Sequence, residues 1–329
     1  LSKLKEHPSD VDAICTLASV KLELREGDTE YIKLLEDFLD RFQNEIDDKQ
    51  VARIYTNIAF AQDYSRRALD YLIKAKDLKS PYVETYTALG LYYFPDNDFS
   101  KEKKNIVRSN EFFKYARELE NSYESNINYG ASLYALGEYQ EAKDIFEKLI
   151  TVYPDRMWLK LCIAYCDVAL GNKNAAISYL ENIKIGSDDN YDLNTDDIME
   201  YQVFDAYYAL EEYDRFLSYC TEEVESEYYT VDWEHLYYVL WISGKRDRFT
   251  RLEEKNRKYL EGAIADAIID TEYDSEKEKQ ETIESWEEDK RDFEEMISRI
   301  KYKQLRPEME LKLYPEYSCY MVDCVRHKF

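Results

Sequence analysis

A repeat of constant length is the sequence feature that most constrains the fold of this chain. Four residues of one stretch have counterparts of similar character 34 residues later: Gly130 and Ala164, Gly137 and Gly171, Ala142 and Ala176, Phe146 and Leu180. Small residues let two helices approach closely, and a glycine between helices permits a turn. A single helix hairpin of this kind cannot bury its own apolar face, so the period predicts hairpins stacked on neighbours.

The stretch 123–156 resembles a tetratricopeptide repeat, the helix–turn–helix unit of roughly 34 residues. The residues that carry the resemblance follow the order and spacing of that family: Gly130, Gly137, Tyr139, Ala142, Phe146 and Pro154. Weaker copies of the pattern cover 49–82, 83–122, 157–190, 197–230 and 230–263, and 1–48 fits a divergent first copy. The resemblance implies an all-α fold, a right-handed TPR-like α-solenoid of about six to seven helix hairpins.

Three segments with different patterns predict the domain organisation. Residues 1–265 form the helical repeat array, 266–303 a charged helix that caps it, and 304–329 a short tail. The charged helix has a narrow apolar seam, which fits a cap on the last repeat or, alternatively, a coiled-coil dimer seam. Apolar and polar residues alternate early in the tail, which favours a short β-hairpin. Loops are expected at 94–104 and 185–197.

Composition narrows the classes of partner. The 329 residues include only 8 Gly and 6 Pro, which favours helices over a sheet-rich fold. The net charge of −25 and the lack of a basic stripe argue against nucleic acid, whereas a basic protein partner suits the charge. No apolar run is long enough to predict a membrane span. Six dispersed cysteines indicate a reducing compartment, and we expect a cytoplasmic location.

No motif in the sequence supports catalysis. Phosphate-binding glycine loops, nucleophile elbows and HExxH motifs are absent from the sequence. Cys324 and His327 could form a nucleophile pair only with a third group and a pocket, and an exposed tail is the simpler interpretation. Cys162 and Cys166 have no second ligand pair nearby in sequence, so they read as buried structural cysteines. We therefore predict no enzyme, no cofactor and no metal.

The resemblance implies a binding groove. In the family, the first helices of successive repeats line a concave face that grips a partner. Register with 123–156 places on that face Asn57, Phe60, Tyr134, Trp158, Tyr165, Tyr201, Asp205, Tyr208, Glu234, Tyr238 and Trp241. Tyrosine and tryptophan dominate binding hot spots, and aromatic rings beside acids suit a segment with apolar, lysine or arginine side chains.

A clamp for a terminal carboxylate, which some family members build, is not expected here. Arg53 and Asn57 suit the first part of such a clamp, but Ala88 and Glu124 stand where the family's asparagine and lysine would be needed. The leading hypothesis is thus a non-catalytic scaffold that binds a peptide-like or basic segment of a partner protein. Two alternatives stay open: a bacterial peptide-sensing regulator with a similar array, and an acidic inhibitor or immunity protein that neutralises a basic toxin.

Overall fold

The fold is helical throughout the described part of the chain. The computed structural model describes residues 2–24, 28–62, 65–95, 105–185, 198–227, 229–273, 275–316 and 319–324, and none of them forms a strand. The loops predicted at 94–104 and 185–197 lie almost entirely outside these residues. The predicted all-α class of stacked helix hairpins is confirmed, because helices that follow one another along the chain pack in pairs.

The chain divides into two compact units, Leu1–Gly171 with Lys312–Phe329, and Asn172–Leu311. The helices of the first unit are α1 Ser2–Glu6, α2 Val11–Glu23, α3 Asp28–Phe42, α4 Asp48–Phe60, α5 Arg66–Asp77, α6 Val83–Tyr93, α7 Ile106–Leu119, α8 Tyr123–Ala135, α9 Tyr139–Ile150 and α10 Met157–Ala169. Those of the second are α11 Lys173–Leu180, α12 Glu200–Ala209, α13 Tyr213–Tyr219, α14 Glu222–Glu227, α15 Glu234–Ile242, α16 Arg246–Ile269 and α17 Glu276–Ser298, which continues into a π-helical turn at Arg299–Lys303.

Short polar side chains set the starts of many helices. The Asp47 carboxylate accepts from the backbone N–H of Gln50, whose side chain accepts from the N–H of Asp47, a complete capping box. Ser122 and Ser125 make the same reciprocal pair at the start of α8. Each such cap satisfies backbone N–H groups that have no partner inside the helix, and contributes about 1 kcal/mol.

Two glycines allow the hairpins of the first unit to close. A methyl group built on Gly130 would lie 2.5 Å from the Phe146 ring, and one on Gly90 would lie 2.4 Å from the Phe113 ring. Both phenylalanines are fully buried. The rings therefore rest on bare backbone, which is the small-residue contact that the repeat pattern predicted. Gly137, between α8 and α9, has a φ of +84°, a conformation that favours glycine.

In the second unit, α17 packs on α15 and α16 through the apolar seam found in the sequence. Phe293, Ile297 and Ile300 are buried, and the Phe293 ring lies 5.7 Å from that of Tyr237. These side chains are covered within one chain, which accords with a cap rather than a dimer seam. The predicted domain boundaries themselves remain a prediction.

The expected β-hairpin in the tail is not formed in the described residues 304–316 and 319–324. These residues have no regular secondary structure. Their backbone groups bond to side chains of helices instead of to a second strand, as at Asn57 and Asn128. A lone hairpin is marginal in water, and helix side chains supply the partners that a second strand would otherwise offer.

None of the described helices has both the length and the apolar character needed to cross a membrane.

The contact between Gly130 and Phe146 yields a stability prediction. Gly130→Ala is expected to lower the free energy of unfolding by about 1–3 kcal/mol, because the added methyl overlaps the buried ring. Gly262→Ala is the matched control: Gly262 lies in the exposed interior of α16 with nothing within 4 Å, so this change should stabilise by about 0.5–1 kcal/mol. Urea unfolding followed by circular dichroism measures both.

A second substitution checks the cause. Phe146→Leu removes the ring atoms that the new methyl would meet, so the double variant Gly130→Ala/Phe146→Leu should lose less than the two single losses added together. Strict additivity, or a Gly130→Ala protein as stable as the wild type, would contradict the close contact.

Candidate functional site

The eleven residues predicted for the groove divide between the two units. Asn57 and Phe60 lie on α4, Tyr134 on α8, and Trp158 and Tyr165 on α10, all in the first unit. The other six lie on two helices of the second unit: Tyr201, Asp205 and Tyr208 on α12, and Glu234, Tyr238 and Trp241 on α15. Each unit is described separately below.

In the first unit, Asn57 binds the backbone of the chain's own tail. Its amide nitrogen donates to the carbonyl oxygen of Val322 at 3.2 Å, and its amide oxygen accepts from the N–H of Val322 at 2.8 Å. One side chain thus pairs with both backbone groups of one residue, as a neighbouring strand would. Asn57 and Val322 are both buried. A buried amide is costly without hydrogen-bond partners, and this pairing offsets the desolvation cost of Asn57.

Arg53, one helical turn before Asn57, binds the next tail residue. A guanidinium nitrogen lies 2.8 Å from the Asp323 carboxylate, and another lies 2.6 Å from Asp12. The Arg53 side chain is 9% exposed, whereas Asp323 is 30% and Asp12 77% exposed, so the cation is buried and its partners reach water. The two residues that fitted the first part of a carboxylate clamp therefore do hold a carboxylate and the adjoining backbone, although the carboxylate is a side chain.

Further contacts anchor the tail along the same unit. The Asn128 amide oxygen, on α8, accepts from the N–H of Glu316 at 2.7 Å. The Phe60 ring meets that of Tyr320 edge-on at 5.1 Å. Several tail side chains are buried among the apolar residues of this unit: Leu313, Tyr320, Met321, Val322 and Cys324. Residues 312–316 and 319–324 therefore cover the face on which Asn57 and Phe60 were predicted to meet a partner.

The remaining predicted residues of the first unit belong to its packed interior. Tyr134 and Tyr165 are buried, and the Tyr134 ring packs edge-on against Tyr139 at 5.1 Å. Trp158 is partly buried. Side chains so placed offer little surface to another molecule.

In the second unit, Tyr208 also binds tail backbone. Its hydroxyl donates to the carbonyl oxygen of Pro307 at 2.8 Å, and it is fully buried. Arg306 donates to the carbonyl oxygen of Tyr208 at 2.9 Å and lies over its ring. His235 bonds to the carbonyl oxygen of Glu308 at 2.9 Å. Residues 306–308 thus occupy this part of α12 and α15.

Three predicted residues on α15 have partners inside the second unit. Glu234 forms an ion pair with Arg299. Trp241 stacks with the guanidinium of Arg246, 3.4 Å from its ring centroid. Tyr238 is 9% exposed and packs near the rings of Tyr208 and Tyr213.

Tyr201 and Asp205 line an open cavity of about 650 Å³ within the second unit. Its wall is mostly apolar and is formed chiefly by Ile198, Phe204, Phe216, Val224, Trp233 and Leu236. Tyr201 is 56% exposed, so its ring is accessible from solvent. Tyr201 and Asp205 therefore face a space that another molecule could enter.

Asp205 is an unusual group for such a wall. Burial raises the pKa of its carboxyl group to about 7. No hydrogen bond or ion pair joins the carboxylate to any residue in the described part of the chain. Asp232, Glu200 and His235 also line the cavity. A carboxylate withdrawn from water without a cation is costly in its charged form, which is the cause of the raised pKa.

A second cavity, of about 520 Å³, is also lined by Asp232 and has further acidic residues in its wall. Its lining includes Asp289, Asp292 and Glu295, with Arg299 as a cation already paired to Glu234. The second unit therefore presents adjoining acidic cavities with aromatic walls.

Sequence reasoning missed Asn128, His235 and Trp233 as site residues, and it set Arg53 aside. Asn128 and His235 lie on first helices of their hairpins, but their role depends on a tail that is far away in sequence. The only available signal was a polar side chain amid an apolar helix, as in the NINYG stretch around Asn128.

The cysteines weighed for catalysis or metal binding do not form such a site in the described residues. Cys162 and Cys166 are buried, and burial raises the pKa of the Cys166 thiol to about 12, which makes it unreactive. His327, the suggested partner of Cys324, lies outside the described residues. Among the residues that the structure describes, no three acidic, histidine or cysteine side chains converge as metal ligands would.

Comparisons with known proteins support one assignment. A family model described as "Tetratricopeptide repeat" matches residues 127–156, which lie within α8, α9 and the residues that follow them. No curated protein matches the chain in sequence. The matched segment contains the contact between Gly130 and Phe146 and the glycine turn between the two helices. Such repeats are units of protein–protein interaction scaffolds. The sequence match and the stacked hairpins together support the assignment of this segment as a tetratricopeptide repeat.

Proposed function

We propose that this protein is a non-catalytic interaction scaffold that binds a partner protein at the open cavity of its second unit. The partner contributes a segment in which a lysine or arginine stands among apolar residues. Its cationic group reaches Asp205, while its apolar neighbours pack on Trp233, Phe204 and Phe216.

The proposal rests on the buried carboxylate of Asp205. Its carboxylate has lost much of its contact with water, and the described residues give it no cation. Two charges at about 4 Å attract far more strongly in such surroundings than in bulk water. A bound ammonium or guanidinium group would replace the missing partner and bring the pKa of Asp205 back down.

The walls of the cavity suit the rest of such a side chain. Lysine and arginine carry their charge on an aliphatic stem, which packs well on apolar and aromatic surface. Trp233 and Phe204 provide that surface, with their ring centroids 6.2 Å apart. The exposed Tyr201 and Met199 extend it toward solvent.

The net charge of −25 supports the same choice of partner, because it raises the rate at which basic proteins meet this one. The first unit is a poorer candidate for this partner. Its face is covered by residues 312–316 and 319–324, and its buried polar side chains include the cation of Arg53.

Asp205 gives a pH-dependent prediction. Between about pH 4 and 7 the folded protein holds a proton on Asp205 that the unfolded chain has lost, so the contribution of this group to stability falls as pH rises. Asp205→Asn stays neutral. Its stability relative to the wild type should therefore increase from pH 4.5 to pH 8, by up to about 3 kcal/mol, since one pKa unit is about 1.4 kcal/mol.

Urea unfolding of both proteins at the two pH values measures this gain. The two proteins differ only at residue 205, so the contributions of all other groups largely cancel in the difference. Asp214→Asn, an exposed carboxylate on α13 outside the cavity, is the matched control and should show little change with pH. A difference between Asp205→Asn and wild type that does not vary with pH would contradict the burial of this carboxylate.

Binding at the cavity can be tested with a matched pair of small molecules. We expect 4-phenylbutylamine to bind at least tenfold more tightly than the neutral 4-phenylbutan-1-ol, as measured by isothermal titration calorimetry at pH 8. Asp205→Asn should remove the preference, and Asp214→Asn should keep it. Equal affinities of the wild type for the amine and the alcohol would overturn the assignment of a cation site.

The partner itself is identified by cross-linking. Benzoylphenylalanine in place of Tyr201 puts a photoreactive ring beside the cavity, and mass spectrometry then locates the joined segment. The proposal expects a segment with a lysine or arginine flanked by apolar residues, and loss of the product when Asp205→Asn is added. A joined segment without a basic residue, or a yield insensitive to Asp205→Asn, would contradict it.

A further inference from the structure

Residues 312–316 and 319–324 meet the first unit in the way that a bound peptide meets its receptor. We infer that the face formed by Arg53, Asn57, Phe60 and Asn128 is a second binding site, for an extended segment with an aromatic, two aliphatic and one acidic residue in order. Tyr320, Met321, Val322 and Asp323 occupy it as a displaceable ligand built into the chain.

Helix side chains hold the tail by its backbone. Asn57 bonds both backbone groups of Val322, and Asn128 bonds the N–H of Glu316. Side chains that pair with backbone groups hold any extended segment, whatever its sequence at those positions. This is the basis of affinity in recognition of extended peptides, where pockets for alternate side chains add selectivity.

Contacts with tail side chains surround that backbone pair and add selectivity. Phe60 meets the Tyr320 ring, the side chains of Met321 and Val322 are buried, and Arg53 pairs with Asp323. Four consecutive residues thus each have a matching feature on the receptor face. A segment with the same order of side chains would make the same contacts from another molecule.

The polar side chains of the receptor face carry a desolvation cost that needs a compensating ligand. With the tail in place, Arg53, Asn57 and Asn128 are all buried, and Arg53 also pairs with Asp12 of the first unit. Apolar residues at these positions would fill a helical core at lower desolvation cost, as replacement of buried ion pairs by apolar groups shows in other proteins. Polar residues here are explained by a segment that has backbone and carboxylate groups to bind.

Tethering explains why the site is closed. A segment attached to its receptor experiences an effective concentration on the order of 1 mM, so a free peptide of about 10 µM affinity competes poorly with it. Displacement then requires either a stronger partner or a weakened tail. The proposed site is separate from the Asp205 cavity, and neither proposal depends on the other.

The test weakens the tail and leaves the receptor face intact. In the full chain, Val322→Pro removes the N–H that Asn57 accepts from, and Asp323→Lys replaces the partner of Arg53 by a like charge. The probe is a fluorescein-labelled peptide with the sequence of residues 311–329 and serine in place of its cysteines. Fluorescence anisotropy should give a Kd in the range of tens of micromolar for this variant, at least tenfold tighter than for the wild type.

Two controls assign the binding to the face. Adding Asn57→Ala to the weakened-tail variant should abolish uptake of the peptide, and a peptide with proline at the position of Val322 should bind at least tenfold more weakly. Circular dichroism checks that the variants keep their helices. No uptake by a variant that keeps its helices, or loss of helix on weakening the tail, would overturn the inference.

Hydrogen exchange on the unmodified protein gives an independent check. If residues 319–324 leave the face while the helices stay folded, their amides should exchange at least tenfold faster than those of α8 and α10. Equal protection of the tail and these helices would mean that the tail is released only by unfolding of the unit, and would overturn its role as a displaceable ligand.

Discussion

The packing of a phenylalanine ring on the bare backbone of a glycine is the contact on which the first unit depends. At Gly130 and Gly90 the ring of the following helix lies where a side chain would otherwise be, so the two helices of a hairpin come close enough to exclude water. With the hairpins closed, apolar residues on their outer surfaces are left to pack against the next hairpin. Regular stacking in turn sets the first helices side by side, and this places Arg53, Asn57 and Asn128 on one face.

The sequence predicted this regular part well because its signals are local. The turn glycine and the contact between a small residue and a ring both lie within one hairpin. The spacing of 34 residues relates one hairpin to the next, so the hairpins follow from these signals. Phe204, Tyr207, Tyr213 and Phe216 replace small residues with rings in the second unit, and there the rings of Phe204 and Phe216 meet edge-on at 5.5 Å. The pattern identified the helices of this copy, but it could not specify how large side chains share the space between them.

The site was predicted less well because it depends on contacts between distant parts of the chain. Register placed Asn57 and Tyr208 on the correct helices, but nothing near them in sequence indicated that Val322 and Pro307 would bind to them. Alternation in the tail suggested a strand, and the described residues 304–316 and 319–324 are without helix. Their hydrogen-bond partners on the helices are side chains rather than a second strand. The special state of Asp205 arises from the walls of its cavity, which come from separate segments and leave no local trace.

The order in which the chain is made gives the tail a further consequence. Residues 312–324 complete the first unit, yet they follow the whole of Asn172–Leu311. At a translation rate of about 5–20 residues per second, the ribosome needs on the order of ten seconds to add that intervening stretch. During this interval Asn57 and the apolar residues around it lack their covering segment. The nascent protein thus passes through a stage in which the hairpins of the first unit are exposed to chaperones and neighbouring chains, and closure becomes available only after residues 319–324 have been made.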